Sequence, residues 1–476
     1  MQFVSLSFLV FLPVVWLVVR LAGPAHKRAL LLLSSLLFVG WISLGALAVL
    51  LFFSLLTFYG GLALSSASSF RKQLFIGLVL LQAASLLLLK YVESGNAGLH
   101  LLFHEAGYRA DLILFAAGFS FYALQHIAYL SAVYHRRTVA EQSPFNFLLF
   151  SAFFPKFQSG PLEEAPQLIA QFQTGNARPD QLQAGVHRII LGIFKKMVLA
   201  DRLAPIVGRV FSSGQVSGSG ATAAGVCLFT VQLYFDFSAY SDIAIGTGKL
   251  FGIELTENFN FPFRATSVSD FWRRWHISLI NWFGKQVFNP VAYRLRRFGV
   301  MAILGGVWAT FLLSGLWHGI GMTFLIWSLL HALYLSFETL TKYKRLGWSQ
   351  RFPVWLYTFW STTITFLLVC FSNLFFRSAD LSEALQLLRQ LMTTPFGGKG
   401  LIAGFLSVLA GGGYQEALFN LGVTGILVLL FLILEKSLLQ RILSGKGVWL
   451  QSFALLLLVF VFGIFAHSDY FIYLQF

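Results

Sequence analysis

Charged side chains are scarce in this sequence, and acidic ones are the scarcest. Only 11% of the 476 residues are Asp, Glu, Lys or Arg, whereas about 25% are charged in a typical soluble domain. Hydrophobic residues make up 57% of the chain, and the mean hydropathy is +0.73. So few charges cannot cover a water-exposed globule of this length. The composition therefore excludes an ordinary soluble protein and indicates that much of the surface faces lipid.

The shortage of acid leaves a strong basic excess, with 34 Lys and Arg against 19 Asp and Glu and a formal net charge of +15. In so apolar a chain, this excess is typical of the cytoplasmic loops of a membrane protein. No basic run in the sequence is accompanied by a soluble domain of a kind that binds nucleic acid. Nucleic acid is therefore not an expected partner.

Cysteine and the common catalytic signatures are also sparse. The two cysteines, Cys227 and Cys370, lie far apart within apolar segments, which indicates small core residues rather than a disulfide framework or a thiol catalyst. The sequence contains no GxSxG motif, no phosphate-binding loop and no carboxylates at metal-site spacing. We therefore expect no metal and no permanently bound cofactor, and histidines are the candidate reactive groups.

Apolar stretches of about 20 residues predict an all-α, polytopic integral membrane protein. Shorter apolar pieces at 145–155, 185–200 and 401–411 are expected to be re-entrant or to lie in the interface. The chain shows neither an internal repeat nor a low-complexity linker, so a single domain over residues 1–476 is expected. The predicted spans, about eleven, are 3–22, 29–43, 46–66, 73–91, 111–133, 222–248, 300–317, 320–340, 353–376, 418–440 and 449–468.

Basic residues follow every second predicted boundary, which predicts the orientation of the chain. Arg20 and Lys27 follow the first span, Arg71 follows the third, and Arg136 follows the fifth. Because Lys and Arg concentrate in cytoplasmic loops, these loops are expected inside the cell and both termini outside.

The stretch between the sixth and seventh predicted spans is too polar to cross a membrane and too aromatic for a plain loop. Its run SDFWRRWHISLINWF predicts a helix that begins near Ser269 and alternates aromatic with basic residues. This pattern is typical of a helix lying in the membrane interface. Either His276 is a functional residue, or it is an incidental polar residue of a surface helix. Asp270 either stabilises the first turn or pairs with Arg273 or Arg274.

His318 stands in the string GLWHGIG, within an otherwise apolar hairpin over 300–340. An ionisable side chain at membrane depth is costly and therefore points to function. The neighbouring glycines leave room for a ligand or another backbone. The alternative is a neutral histidine that hydrogen-bonds a carbonyl and packs two helices. This residue alone leaves both interpretations open.

Further polar residues, including Asp236, Ser238 and Asp242, lie inside the predicted span 222–248. The two carboxylates are six residues apart and share no helical face, whereas Ser238 and Asp242 do. A buried carboxylate needs a partner or a wet cavity. We expect the Arg-rich helix that follows to supply that partner.

Together these motifs resemble the membrane-bound O-acyltransferase superfamily. SDFWRRWHISLINWF is followed, 42 residues after its histidine, by GLWHGIG. Similar strings extend over essentially the whole chain, most closely to the alginate O-acetyltransferase membrane subunit, cellulose-acetylation subunits and the teichoic-acid D-alanylation membrane protein. One departure is Gly284-Lys285-Gln286, where relatives usually carry Arg-Asp-Tyr. This departure leaves the identity of the acyl acceptor open. The other matching strings are GFSFYALQHIAYLSAVY (118–134), NFLLFSAFFPKFQSGPL (146–162), LGIFKKMVLADRLA (191–204), YFDFSAYSDIAIG (234–246) and the terminal FIYLQF.

The resemblance implies a helical membrane domain, with re-entrant and interfacial helices around a central funnel, in the bacterial inner membrane. It implies an O-acyltransferase that passes an acetyl group from a cytoplasmic thioester, with acetyl-CoA as the expected donor, to an alginate- or cellulose-like exopolysaccharide. His318 would be the catalytic base, and His276 would orient a substrate or assist. The candidate substrate-binding residues are Trp317, Asp270, Trp272, Arg273, Arg274, Trp275, Asp236 and Ser238.

Expected partners are a periplasmic hydrolase-like acetyltransferase, the polysaccharide synthesis machinery and membrane lipid, and direct transfer to the glycan stays open. The alternative function is a transporter or flippase of a lipid-linked sugar or acyl intermediate. Transporters often carry repeats and broken helices at the midplane. The chain has no repeat, and its polar residues are concentrated in one stretch, which favours an enzyme.

Overall fold

The computed structural model describes residues 3–66, 69–93, 118–173, 177–211, 219–393, 414–444 and 447–465. Within these ranges the chain is helical, and its β-structure is an isolated bridge between Phe259 and Trp275. The chain divides into two compact units. The first comprises Met1–Ile189, Tyr240–Glu257 and Asn281–Gln286, and the second comprises Ile190–Ala239, Asn258–Ile280 and Val287–Phe476. The expected single domain stays a prediction.

Long apolar helices with short connections form the first unit. Gly23 separates the first two helices at φ +76°, a left-handed conformation that glycine adopts without steric cost. Ser43 caps the third helix by accepting hydrogen bonds from the backbone N–H of Gly45 and Ala46. The helices are α1 (Leu6–Ala22), α2 (Pro24–Ile42), α3 (Leu44–Ser65), α4 (Arg71–Glu93), α5 (Phe119–Tyr134), α6 (Pro144–Ala152), α7 (Ala165–Phe172) and α8 (Pro179–Phe194).

The second unit begins at Ile190, within α8, and a π-helical turn, Lys195–Ala200, follows that helix. The helices that follow are α9 (Asp201–Phe211), α10 (Ser219–Leu250, of which the residues to Ala239 belong to this unit), α11 (Val268–Arg274), α12 (Ile277–Phe283), α13 (Asn289–Arg294), α14 (Val300–His318), α15 (Met322–Leu340), α16 (Lys342–Arg351), α17 (Val354–Arg377), α18 (Leu381–Thr393), α19 (Tyr414–Ser444) and α20 (Val448–Phe462).

Among the described residues, eight helices are long and apolar enough to cross a membrane, and α1 and α20 are shorter apolar helices. Large apolar side chains such as Leu6, Leu44 and Phe460 are more than three-quarters exposed, as expected for a surface covered by lipid. The all-α, polytopic membrane fold is therefore confirmed. The count of eleven spans, the funnel and the orientation of the termini stay predictions, and the piece 401–411 lies outside the described residues.

The hairpin of α14 and α15 is packed closely at Gly315. A Cβ atom there would lie 2.7 Å from Oγ of Ser328 and 3.0 Å from the carbonyl oxygen of Phe324. Only glycine allows this approach without a shift of backbone. Elsewhere in this unit Cys227 and Cys370 are free thiols joined by a side-chain hydrogen bond. These two cysteines, which are distant in sequence, therefore bring α10 and α17 into contact.

Candidate active site

The predicted interfacial helix is two short helices with His276 at the break between them. Ser267, not Ser269, caps α11, because its Oγ accepts a hydrogen bond from the Asp270 N–H at 3.1 Å. The helix ends at Arg274, and α12 begins at Ile277. His276 has φ +46°, which costs a residue with a Cβ roughly 1–2 kcal/mol. The prediction of one continuous helix was wrong because tertiary contacts override its local pattern.

Asn258 supplies the contacts that hold this break. Its Oδ1 accepts hydrogen bonds from the backbone N–H and the hydroxyl of Ser278, at 3.2 and 2.8 Å. The same oxygen lies 3.3 Å from Nδ1 of His276. The Ile277 N–H donates to the Asn258 carbonyl oxygen at 3.0 Å. Asn258 is fully buried, so its amide stabilises the strained turn in a water-poor environment.

These contacts also define the chemical state of His276. Burial lowers the pKa of His276 to about 3, because desolvation disfavours the imidazolium. The ring is therefore neutral at physiological pH. Since the Asn258 Oδ1 is an acceptor, the neighbouring Nδ1 carries the proton and Nε2 keeps its lone pair. His276 is thus a neutral, oriented imidazole rather than a surface histidine.

His318 is the last residue of α14 and is buried in an aromatic cage. Its imidazole centroid lies 4.6 Å from Trp317, 5.2 Å from Trp327 and 5.0 Å from Phe376, each roughly edge to face. Phe324 lies nearly parallel to it at 6.3 Å. These rings restrict the imidazole and keep the surroundings apolar.

Trp317 links the two histidines that the sequence singled out. Its ring is 6.5 Å from that of His276 and 4.6 Å from that of His318. The imidazole of His276 is also 4.7 Å from Phe237, on α10. Residues 42 positions apart in sequence therefore converge on one indole.

A third histidine, His331, was not among the candidates predicted from the sequence. It is buried on α15, and its Nδ1 accepts a hydrogen bond from the indole N–H of Trp272 at 3.3 Å. Trp327 lies against both His331, at 5.0 Å, and His318, at 5.2 Å. The available signal was its spacing: His331 lies 13 residues after His318 on the next predicted span, again an ionisable group at membrane depth.

The remaining candidates on α11 have separate surroundings. Asp270 forms ion pairs with Arg274 at 3.0 Å and with Arg273 at 3.3 Å. Of the alternatives that the sequence left open, the structure therefore shows pairing, and with both arginines. The Arg273 side chain is 72% exposed, so this pair is weak. Trp275 is buried and stacks on Phe271 at 5.4 Å.

The expected partner of the α10 carboxylates was wrong. Asp236 is fully buried and pairs with Lys196 at 2.9 Å, while Lys196 also binds Asp201 at 2.8 Å. In the first unit, Asp242 pairs with Arg188 at 2.5 Å. Both cations precede α10, whereas the prediction placed them on the Arg-rich helix after it. Desolvation raises the pKa of Asp201 to about 6 even beside this lysine.

Ser238 lies on α10 and makes a local contact. Its Oγ is 3.5 Å from the Phe235 carbonyl oxygen, one turn earlier on the helix. The role of Asp236 and Ser238 in substrate binding stays a prediction. No group of three His, Cys, Asp or Glu side chains that could hold a metal ion occurs in the described part of the chain.

Comparison with known proteins finds a matching family model and related sequences. Residues 65–376 match the model of the MBOAT, membrane-bound O-acyltransferase family. The chain is 32% identical over 391 residues to probable alginate O-acetylase AlgI of Pseudomonas syringae, covering 81% of this chain and 74% of that protein. It is 28% identical over 402 residues to the peptidoglycan O-acetyltransferase of Helicobacter pylori, covering 78% and 74%.

A more distant relative is the teichoic acid D-alanyltransferase of Bacillus subtilis, 28% identical over 249 residues, covering 48% of this chain and 61% of that protein. The family match extends from the end of α3 to α17 and includes both motif histidines. The apolar helices, the family model and the relatives identify a multi-pass O-acyltransferase of the bacterial inner membrane. This chain belongs to the membrane-bound O-acyltransferase family.

Proposed function

We propose that this protein takes an acetyl group from a cytoplasmic thioester, acetyl-CoA, and passes it across the membrane for O-acetylation of an exopolysaccharide. The observation that carries this proposal is that two buried histidines, His276 and His318, both lie against Trp317. The named activities of the relatives, alginate and peptidoglycan O-acetylation, favour an acetyl group and a glycan hydroxyl as acceptor.

A hydroxyl is the poor reactant in this transfer, since it is neutral and weakly nucleophilic. In our proposal a nitrogen of His318 accepts the hydroxyl proton while the oxygen bonds to the thioester carbonyl carbon. The C–S bond then breaks, and the proton passes to the departing sulfur to give a free thiol. Imidazole suits this exchange because it titrates near neutral pH. General base catalysis of this kind typically contributes about 10²- to 10⁴-fold.

We further propose that Trp327 stabilises the oxyanion that forms on the thioester carbonyl. Its indole Nε1 is buried and, among the described residues, has no hydrogen-bond partner. Leaving such a donor unsatisfied costs about 1–3 kcal/mol. The Trp327 ring lies 5.2 Å from the ring of His318. A substrate oxygen entering beside His318 would relieve that cost as negative charge develops.

The basic loops are proposed to attract the phosphates of acetyl-CoA on the cytoplasmic side. The acceptor is either the glycan itself or a relay residue on a periplasmic hydrolase-like acetyltransferase, working with the polysaccharide synthesis machinery. Trp317, Trp272 and Trp275 are proposed to shape the substrate path, since all three are buried in the cluster around the histidines. The arginines of α11 are proposed to position a polar part of a substrate.

The test measures acetyl transfer by the purified protein in proteoliposomes. Acetyl-CoA, labelled in its acetyl group, is added outside the vesicles. We expect the label to leave coenzyme A and to appear as ester-linked acetate on added alginate or on a periplasmic partner protein. A flippase would instead move a labelled lipid-linked sugar between leaflets with acetyl-CoA unchanged. That second outcome would replace the acyltransfer proposal with the transport alternative.

A further inference from the structure

A groove of about 610 Å³ lies on the second unit, apart from His318 and His276, neither of which lines it. Its walls come from the end of α15, from α16, from the part of α17 between Leu356 and Leu368, and from Thr266, Ser267 and the first residue of α11, Val268. Most of its lining is apolar, with Phe337, Trp360 and Leu368 among the wall residues. Because α15 and α17 are both candidate membrane spans, the occupant of this groove is expected to come from the bilayer.

One cation lines this apolar groove. The Nη2 of Arg345 donates to the Glu338 carbonyl oxygen at 2.9 Å. Its Nε–H is buried and has no hydrogen-bond partner in the described part of the chain. The Glu338 carboxylate accepts from the Val268 and Ser269 N–H groups, at 2.6 and 3.0 Å. A guanidinium with a free N–H in an apolar groove favours an anionic oxygen as its partner.

The helix that carries Arg345 is strongly basic. α16 reads KYKRLGWSQR and contains no acidic residue, while Lys342, Lys344 and Arg351 are exposed. Its exposed aromatic residues Tyr343 and Trp348 are typical of a helix at the membrane interface. Basic segments beside a span attract anionic lipids. The charge of α16 therefore complements a negatively charged headgroup more than a zwitterionic one.

We propose that this groove binds one anionic phospholipid, with its phosphate on Arg345 and an acyl chain between α15 and α17. The cavity supplies the apolar volume for the chain, and the Nε–H supplies the bond to the phosphate. The lipid would also contact α11, because Val268 and Glu338 both line the groove. Binding of the lipid thus stabilises α11, the helix on which Trp272 donates a hydrogen bond to His331. This inference does not depend on the reaction assigned to His318.

The experiment uses the full chain, purified in detergent and stripped of lipid, and titrated with phosphatidylglycerol or phosphatidylcholine. Bound lipid is counted by native mass spectrometry, and the melting temperature is followed in parallel. The Arg345→Gln variant removes the groove cation. Arg351→Gln is the matched control, since it removes the same charge from the same helix but does not line the groove.

We expect one phosphatidylglycerol to bind with about tenfold preference over phosphatidylcholine, because both lipids carry the phosphate but the choline cation of phosphatidylcholine is repelled by Arg345. Arg345→Gln should lose that preference, and Arg351→Gln should keep it. Equal binding of the two lipids, or equal losses in the two variants, would show only diffuse surface attraction and overturn the proposal.

A second variant decides the matter if Arg345→Gln does not fold. Ser361→Phe fills the groove from α17, where Ser361 is part of the lining. The bound lipid and its effect on melting temperature should both disappear. Retention of one tightly bound phosphatidylglycerol in Ser361→Phe would place the lipid elsewhere and refute the groove as its binding site.

Discussion

Replacing Asn258 by Ala removes the oxygen that holds the break between α11 and α12. That oxygen accepts from both the backbone N–H and the hydroxyl of Ser278 and lies 3.3 Å from Nδ1 of His276. Each buried hydrogen bond contributes about 1 kcal/mol, and a donor left unsatisfied costs up to about 3 kcal/mol. We therefore expect Asn258→Ala to lower the free energy of unfolding by roughly 3 kcal/mol.

The loss of acyl transfer should exceed the loss of folded protein. His276 holds φ +46°, and without its support the turn can relax toward an ordinary conformation. The imidazole then leaves its place beside Trp317. The assay combines chemical or thermal unfolding with the initial rate of acyl transfer, normalised to the folded fraction at each temperature.

Two variants serve as controls. Ser278→Ala removes the shortest of the three contacts and should cost about 1 kcal/mol with activity largely kept. Asn258→Asp keeps an acceptor for Ser278 but buries a negative charge, so it should cost stability while it raises the pKa of His276. If Asn258→Ala matches the unmodified protein in both stability and normalised rate, the proposed role of Asn258 in holding the break at His276 is refuted.

Four further outcomes are expected. Lys196→Met leaves the fully buried Asp236 without its cation and should cost about 3–5 kcal/mol of stability; a double variant with Asp236→Asn should recover part of this in the same melting assay. Arg273→Ala, on a largely exposed pair, should change stability by less than about 1 kcal/mol; a larger loss would contradict the interpretation of that pair as weak. Because burial lowers the pKa of His276 to about 3, the unfolded state binds more protons below about pH 6.5, and stability should fall on acidification from pH 7.5 to 5.5; His276→Gln should flatten that decline. Trp327→Phe keeps an aromatic ring but removes the indole N–H and should lower kcat about 10²-fold with little change in KM; an unchanged kcat would remove Trp327 from the mechanism.

Hydrophobic run length predicted the long helices well. The predicted spans 300–317 and 320–340 correspond to α14 and α15, and 222–248 corresponds to α10. A spanning helix needs a fixed length of apolar sequence whatever it packs against. Its presence is therefore determined by the local sequence. Clustering of the two motif histidines was expected from the resemblance, and both lie against Trp317.

Pairings between distant residues were not predictable in the same way. Asp236 pairs with Lys196, 40 residues earlier, because the π-helical turn after α8 places that lysine beside Asp236. The break at His276 depends on Asn258, which lies 18 residues before it. No local period encodes such contacts, and in both cases a buried polar group selects its partner by tertiary geometry.

The role of His318 as the base for acyl transfer is tested by the His318→Ala variant, compared with a variant of a structural histidine. His126 is fully buried and lies 3.2 Å from Thr57 Oγ1 and 2.8 Å from Ser151 Oγ, so His126→Gln should lower the melting temperature while folded protein keeps its rate. His318→Ala should instead insert and fold normally and lose acetyl transfer by about 10²-fold or more. Transfer at the unmodified rate by folded His318→Ala protein, or loss only in proportion to unfolding as in His126→Gln, would contradict the account.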